Sequence, residues 1–135
     1  MRAVLDPNVL VAALLSHSGA PAQLVSRWLA GAFELVVSEA LVTELERALA
    51  HPRTRERVSE EEATAFVELL RNGTRVTADP AAHAPRAADP GDDYLLALAE
   101  AEHAILVSGD QHLLALADEL PIQTARAFLD TLAET

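Results

Sequence analysis

Short apolar segments alternate with helical segments along the chain, and this alternation constrains the fold more than any other feature. The segments RAVL (2–5), FELVV (33–37), AILVS (104–108) and IQT (122–124) have the character of buried strands, and TRVTA (74–78) could be a further short strand. Helical periodicity and capping signals fill the intervals between them. Strands separated by helices pair in parallel, so the sequence predicts an α/β fold with a parallel sheet covered by helices on both faces.

The length and composition predict one domain. The chain has 135 residues, so we expect a single domain over 1–135, with the proline-rich stretch 78–91 as a loop inside it. Cysteine is absent, which excludes a disulfide scaffold and a thiolate metal site and suits a reducing compartment. No apolar run approaches the roughly 18 residues of a membrane span. We therefore expect a soluble, cytoplasmic protein with no membrane partner.

The charge is strongly acidic but contains one basic cluster. The formal net charge is −11, which argues against unspecific binding of nucleic acid over the whole surface. All ten basic residues are arginines, and Arg53, Arg55 and Arg57 fall together in HPRTRERVS. These arginines either pair with the glutamates at positions 56 and 60–62, which we slightly favour, or bind phosphate.

Several acidic residues follow predicted strands or begin predicted helices. Asp6 follows AVL and Asp110 follows AILVSG, and ligands of parallel sheets bind outside the carboxyl ends of the strands. Glu44 borders an apolar helical stripe, where an unpaired buried carboxylate would cost several kcal/mol. Asp92 and Asp93 begin the helix after the proline-rich loop. Each acid alone has a structural explanation, as a turn residue, a cap or half of an ion pair, so the hypothesis of a site depends on their convergence.

Convergence of these acids would require a positive partner. Asp6, Glu44, Asp93 and Asp110 would repel one another by roughly 4 kcal/mol per pair at about 4 Å and an effective dielectric near 20. The chain has no lysine, and no arginine adjoins any of the four in sequence. A set of oxygen ligands is what Mg²⁺ or Mn²⁺ selects, and such a metal serves the hydrolysis of phosphodiesters.

Polar residues near these acids have open roles. Asn8 could cap the first helix, orient Asp6 or hold a metal-bound water, and Ser108 could simply end its strand. We expect His112 to pack on or cap its helix, and consider a ligand role for it less favoured. The remaining histidines lack the spacing of metal ligands, and we expect them in surface or loop positions: His17, His51, His83 and His103.

Four segments resemble, in order, the motifs of a known family. VLDPNVLVAALLS, VSEALVTELERAL, DPGDDYLLALAEA and ILVSGDQHLL are similar to the motifs of the PIN-domain family, in the branch of VapC-like toxins of type II toxin–antitoxin systems. The similarity runs from about residue 3 to residue 125. It implies a three-layer α/β/α sandwich with a central parallel sheet, a Mg²⁺ or Mn²⁺ site, cleavage of single-stranded RNA, a homodimer and inhibition by a small antitoxin.

The resemblance also implies roles for particular residues. The metal-binding acids of the family fall on Asp6, Glu44, Asp93 and Asp110, and its polar helpers fall on Asn8 and Ser108. The segment DYLLALA favours Asp93 over Asp92 as the third acid, which leaves Asp92 as a supporting partner. The chain departs from the pattern at Pro7, where Thr or Ser is common, and at His112, where another Asp is frequent. If that Asp helps to hold a second ion, this chain binds one ion tightly and acquires the other with substrate.

Other function classes fit less well. Receiver domains and haloacid-dehalogenase-like phosphatases need a lysine, and the nucleotide-binding patterns GxGxxG and GxxxxGK are absent. The sequence therefore predicts a Mg²⁺- or Mn²⁺-dependent endoribonuclease, the toxin of a toxin–antitoxin pair, with Arg53, Arg55 and Arg57 as candidates for contact with RNA. A PIN-type RNA-processing nuclease without an antitoxin and a non-catalytic PIN scaffold that binds RNA or protein remain as alternatives.

Overall fold

The computed structural model describes residues 1–81 and 86–134, so the expectation for His83 lies outside the described residues. In chain order the elements are β1 (Arg2–Leu5), α1 (Pro7–Leu15), α2 (Ala20–Leu29), β2 (Glu34–Leu35), β3 (Val37–Ser38), α3 (Glu39–Leu49), α4 (Pro52–Arg55), α5 (Glu60–Gly73), β4 (Val76–Thr77), a 3₁₀ turn (Pro90–Asp92), α6 (Asp93–Ala101), β5 (Ile105–Val107), α7 (Gln111–Leu114), β6 (Ile122–Gln123) and α8 (Ala125–Ala133).

The strands form two parallel sheets. The larger one has the order β2-β1-β5-β6, and β3 pairs with β4 in the smaller one. Strand β1 is central and entirely apolar after Arg2, and it pairs with β5 so that Leu5 lies opposite Val107. The carboxyl ends of these two strands therefore meet at one edge. The predicted α/β fold, a central parallel sheet flanked by helices, is confirmed.

Two predicted segments differ from the structure, and one helix was not predicted. The segment 33–37 is divided at Val36, because β2 pairs with β1 whereas β3 pairs with β4. The periodicity of QHLLALADEL predicts a helix over 111–120, but α7 ends at Leu114, where i→i−3 hydrogen bonds, such as that from the Leu116 N–H to the Leu113 carbonyl, replace the α-helical pattern. Helix α4, which the sequence analysis did not predict, begins after His51 with Pro52 at its first position.

Helices α3 and α5 begin with capping patterns that are visible in the sequence. Ser38 Oγ accepts the Leu41 N–H at the start of α3, and Ser59 and Glu62 form a complete capping box on α5. Gly31 follows α2 with φ of +84°, a conformation that favours glycine.

One buried apolar cluster joins the sheet and the helices. It is built mainly from Leu, Val and Ala, and its largest fully buried side chain, Phe128, meets Phe33 edge to face at a centroid distance of 5.2 Å. The ends of the first strands and helices are thereby held in place, and with them the polar edge of the sheet.

Among the residues that the structure describes, no single helix is long and apolar enough to cross a membrane. Helices α1 and α2 satisfy that test of length and composition only as a pair bent by 99°.

Gly73 is the last residue of α5. A glycine at a helix end commonly adopts a left-handed conformation, but Gly73 does not. A Cβ built on it would lie 2.7 Å from Trp28 Cζ2. The absence of a side chain at position 73 therefore allows Trp28 to pack over the end of α5.

We expect Gly73→Ala to lower the free energy of unfolding by about 1–3 kcal/mol, because the new methyl group must displace the Trp28 ring. Urea denaturation followed by Trp fluorescence measures this effect. Gly109→Ala is the matched control, since a Cβ there has no neighbour within 4 Å and we expect a change within about 1 kcal/mol of zero. Equal stability of the two variants would contradict the packing argument.

Candidate active site

Asp6 lies at the point where β1 passes into α1. Its main chain continues the sheet by donating its N–H to the Val107 carbonyl at 3.0 Å, and its side chain caps α1 by accepting the Asn8 N–H at 3.0 Å. Pro7 occupies the first helical position, where its missing N–H costs nothing. The side chain of Asp6 is therefore placed by both elements, and only 5% of the residue surface is exposed.

Ser108 joins the acids of two neighbouring strands. Its hydroxyl donates to Asp6 Oδ2 at 2.8 Å and accepts the Asp110 N–H at 3.0 Å. The residue is fully buried at the end of β5. Ser108 thus fixes the Asp6 carboxylate and the start of the Asp110 segment relative to each other, which is more than the simple end of a strand.

Asp6, Glu44 and Asp92 line one cleft of about 240 Å³. Helix α3 and the residue pair that follows it contribute one wall, since Glu44, Arg47 and His51 are spaced three and four residues apart and face the same space. Asp92 and Tyr94, at the start of α6, also line the cleft. The structure therefore brings acids from three distant parts of the sequence into one cleft.

Asp110 lies in the depression beside this cleft. It lines a second cavity of about 410 Å³, and Asn8 borders both cavities. The negative charge of Asp110 nevertheless raises the pKa of Asp6 and of Asp92. Asp110 thus contributes to the same electrostatic environment from the neighbouring cavity.

Two carboxyl groups in the cleft, those of Asp92 and Asp6, have raised pKa values. Burial, followed by the charges of Asp6, Asp89, Asp110 and Asp93, raises the pKa of Asp92 to about 6. Burial also raises the pKa of Asp6, although the hydrogen bonds from Asn8 and Ser108 oppose this effect. Both shifts have the sign expected for acids that are crowded together away from water.

Asp93 is close in sequence to this cleft, and one of its carboxylate oxygens is engaged by the backbone that precedes it. Its Oδ1 accepts the backbone N–H groups of Arg86 at 2.8 Å and of Ala87 at 2.7 Å, and the residue is buried. Asp92, in contrast, makes no capping hydrogen bond and lines the cleft. Asp92 therefore lines the cleft, and Asp93 Oδ1 holds the backbone at residues 86 and 87.

Glu44 has a positive partner, contrary to what adjacency in sequence suggests. Its carboxylate forms an ion pair with Arg47 one turn later on α3. Helical periodicity brings position 47 next to position 44, so the expectation that the acids lack a positive side chain beside them is wrong for Glu44. The alternative in which Glu44 is half of an ion pair is the arrangement that the structure contains.

Asn8 and His112 contribute backbone groups to two caps. Asp6, not Asn8, is the N-cap of α1, and the Asn8 N–H is one of the two groups that orient the Asp6 carboxylate. The His112 N–H donates to Asp110 Oδ1 at 2.8 Å, and its side chain is exposed. The cap of α7 is thus Asp110.

The arginines at positions 53–57 do not pair with the neighbouring glutamates, which corrects the interpretation that we slightly favoured. Within residues 1–81 and 86–134, no ion pair involves them. Arg57 Nη2 donates to the Leu15 carbonyl at 2.6 Å, Arg53 is exposed, and Arg55 Nη1 is buried without a hydrogen-bond partner. Their charges are therefore not neutralised locally.

His51 and Tyr94 line the cleft, although the sequence analysis assigned no role to either. His51 Nδ1 accepts the Arg53 N–H at 3.2 Å, so the neutral ring carries its proton on Nε2. The spacing of seven residues between Glu44 and His51, about two helical turns, was the signal in the sequence that they share a face. This signal holds only because α3 continues to Leu49, two residues before His51. Tyr94 could have been recognised only through its neighbour Asp92.

The donor chemistry of the cleft suits a hard divalent cation. Carboxylate oxygens dominate and no cysteine is present. Burial, followed by neighbouring acids, raises the pKa of Asp6 and of Asp92, and a cation would favour the ionised form of both. As the side chains stand, no group of three or more His, Asp or Glu in the described parts of the chain is arranged to hold an ion. The residues therefore fit such an ion by charge and donor type, and not as a preformed coordination shell.

A sequence profile of the family described as PIN domain matches residues 2–112, which is most of the chain. The chain belongs to the PIN-domain family. PIN domains are generally nucleases, that is, hydrolases, and typically use divalent metal ions. No curated protein matches this PIN domain.

Two solved structures resemble this PIN domain in fold. The crystal structure of PAE2754 from Pyrobaculum aerophilum has a TM-score of 0.68 at 19% identity, with 100% of this chain and 91% of that chain covered. The crystal structure of VapBC2 from Rickettsia felis, bound to a DNA fragment from their promoter, has a TM-score of 0.59 at 15% identity, with 91% and 97% covered. At these identities the likeness is one of fold.

We expect Ser108→Ala to lower the free energy of unfolding by about 1–3 kcal/mol, because the buried Asp6 carboxylate loses a donor and the Asp110 N–H loses its acceptor. Chemical denaturation measures the change. Ser26→Ala on the exposed side of α2 is the control, for which we expect a change within about 0.5 kcal/mol. Indistinguishable effects of the two substitutions would contradict the bridging role of Ser108.

The raised pKa of Asp92 predicts a pH dependence of stability in the presence of EDTA. Because the folded-state pKa is about 6 against an ordinary value of 3.8, ionisation of Asp92 opposes folding increasingly as the pH rises from about 4 to 6. We expect Asp92→Asn to remove this loss, so that its stability relative to wild type increases across that interval and then levels off. Asp118→Asn, at an exposed position, is the control, and parallel pH curves for wild type and Asp92→Asn would contradict the crowding of acids.

Proposed function

We propose that this PIN domain is a divalent-metal-dependent endoribonuclease that cleaves single-stranded RNA, and that it is the toxin of a toxin–antitoxin pair. The observation that supports the chemistry is the convergence of Asp6, Glu44 and Asp92 on one cleft, with the charge of Asp110 beside it. Hydrolysis of a phosphodiester needs an activated water and compensation for the charge of the phosphate.

The metal ligands that we propose are Asp6, Asp92 and Asp110, with Glu44 either joining them or orienting the attacking water. Mg²⁺ or Mn²⁺ would supply a water of lowered pKa and would neutralise charge on the phosphodiester. Ser108 and the Asn8 N–H hold the Asp6 carboxylate in a fixed orientation, which limits the rearrangement that ligation requires. Asp93 acts at a distance from the substrate by holding the 86–87 backbone.

RNA is the substrate that we favour because unpaired positive charge lies close to the end of α3. Helix α4 carries Arg53 and Arg55, begins directly after the cleft residue His51, and has no glutamate neutralising its arginines in the described residues. Exposed guanidinium groups bind the phosphate backbone without reading its sequence. Arg53 is the best placed of the three, since Arg57 is engaged with the α1 carbonyl of Leu15.

The assignment as a toxin rests on the fold of VapBC2, and we propose a small antitoxin protein as the partner and a homodimer as the assembly. Co-purification with the product of an adjacent gene tests the partner, and light scattering tests the dimer. An active nuclease that purifies alone and is not inhibited by any neighbouring gene product would instead support the RNA-processing alternative.

Cleavage of a labelled single-stranded RNA tests the nuclease. We expect cutting with Mn²⁺ or Mg²⁺, none with EDTA, and a loss of at least the ~10–100-fold that metal-site partners contribute when Asp6 or Asp92 is changed to Asn. Asp130→Asn, on the exposed side of α8, is the control and should cut as wild type does. Equal cutting by wild type and Asp6→Asn, or an EDTA-resistant rate, would overturn the mechanism.

The same assay decides between the two neighbouring aspartates. Asp92→Asn should abolish cutting while leaving the protein folded, whereas Asp93→Asn should lower stability by weakening the acceptor for two backbone N–H groups. If folded Asp93→Asn loses cutting completely while Asp92→Asn retains it, the roles proposed here are reversed.

A further inference from the structure

Arg47 is the one arginine among the residues that line the acidic cleft in the described part of the chain. It stands one turn after Glu44 and one turn before His51, on the wall that α3 contributes. Its side chain is 70% exposed, so the guanidinium is hydrated and free to reach beyond its present partner. A cation in this position faces the space that a phosphate would enter.

The present partner of Arg47 is Glu44, which is itself 42% exposed. Exposed ion pairs between residues three apart on a helix are weak, because water and salt screen both charges. The pair nevertheless neutralises the only guanidinium on this wall in the described residues, and it does so with a proposed metal ligand or water-orienting residue. The Glu44 carboxylate cannot bind a metal cation and keep its full ion pair with Arg47 at the same time.

We propose that Arg47 is a phosphate-binding residue of the cleft, that Glu44 keeps it paired in the metal-free protein, and that Arg47 turns to the RNA backbone when Glu44 no longer offers its negative charge. This inference rests on the proposed function for the identity of the ligand. The planar guanidinium matches phosphate oxygens with two parallel donors, and phosphate competes well for an exposed guanidinium that has only one carboxylate partner. Binding of substrate and occupation of the acidic site would thereby be coupled through one ion pair.

Binding in EDTA tests the proposal without any cleavage. Fluorescence anisotropy of a labelled single-stranded RNA at pH 8 compares wild type, Glu44→Gln, Arg47→Gln and the double variant. We expect Glu44→Gln to bind RNA about two- to fivefold more tightly than wild type, the range that the loss of an exposed ion pair allows, and the double variant to lose that gain. The salt dependence should also be steeper for Glu44→Gln than for the double variant by about 0.7, the slope of one phosphate contact on a single strand.

Two controls separate release of Arg47 from a general change in charge. Asp92→Asn removes a negative charge from the same cleft but leaves the Glu44–Arg47 pair, so any gain it produces should persist when Arg47→Gln is added. Arg75→Gln removes an exposed arginine that precedes β4, at the amino end of the strand, and should not cancel the gain of Glu44→Gln. Circular dichroism checks that all variants are folded.

The outcomes are distinct from those of the cleavage assay. A gain in Glu44→Gln that survives Arg47→Gln, or no measurable binding of RNA by Glu44→Gln, overturns the role of Arg47 whether or not the protein cuts RNA. Loss of the gain in the double variant supports it even if wild type shows no metal-dependent cutting, in which case the proposed nuclease activity alone fails.

Discussion

The parallel pairing of β1 with β5 is the constraint on which the acidic site depends. It places the last residues of both strands side by side, so that Asp6 and Ser108 meet although 102 positions separate them in sequence. A buried hydroxyl between two acids must satisfy both its donor and its acceptor, and Ser108 does so with the Asp6 carboxylate and the Asp110 N–H. A shift in strand register would separate these groups and leave them buried without partners.

The same edge accumulates charge that opposes folding. Burial raises the pKa of Asp6 and of Asp92, and Asp110 raises both further. A fold selected for stability alone would place such acids in water. The apolar strands and the cluster around Phe128 supply the stability that lets the protein keep acids together, and a divalent cation is the ligand that would relieve their repulsion.

An arginine and backbone N–H groups partly compensate the negative charge of the acids. Arg47 pairs with Glu44, and the first turns of α1 and α7 donate backbone N–H groups to Asp6 and Asp110. The partners of these acids therefore differ. The Ser108 hydroxyl and a backbone N–H hold Asp6, Arg47 holds Glu44, and a backbone N–H holds Asp110. Asp92 makes no capping hydrogen bond, and burial followed by the neighbouring acids raises its pKa to about 6, so a nearby cation would favour its ionised form.

Local patterns in the sequence were sufficient for the capping patterns at Ser38 and Ser59 and for the positions of Asp6 and Asp110 after β1 and β5, because each depends on neighbours within a few residues. They located the strands but did not predict the division of 33–37 at Val36, which depends on pairing with different strands. The choice between Asp92 and Asp93 was not local. It depends on the backbone N–H groups of residues 86 and 87, which take up the Asp93 carboxylate and leave Asp92 to the cleft.

The sequence by itself thus determined the fold class and most of the acidic residues of the candidate site. The reason is that the periodicity of apolar residues and the position of an acid after a strand can both be recognised from consecutive residues. Only the tertiary structure decided which acids share a cleft, that Asp110 lies beside it, and that Arg47 and His51 face it. The physical reason is that side-chain direction and charge pairing arise between elements distant in sequence, where hydrogen bonding and burial, rather than local propensity, select the arrangement.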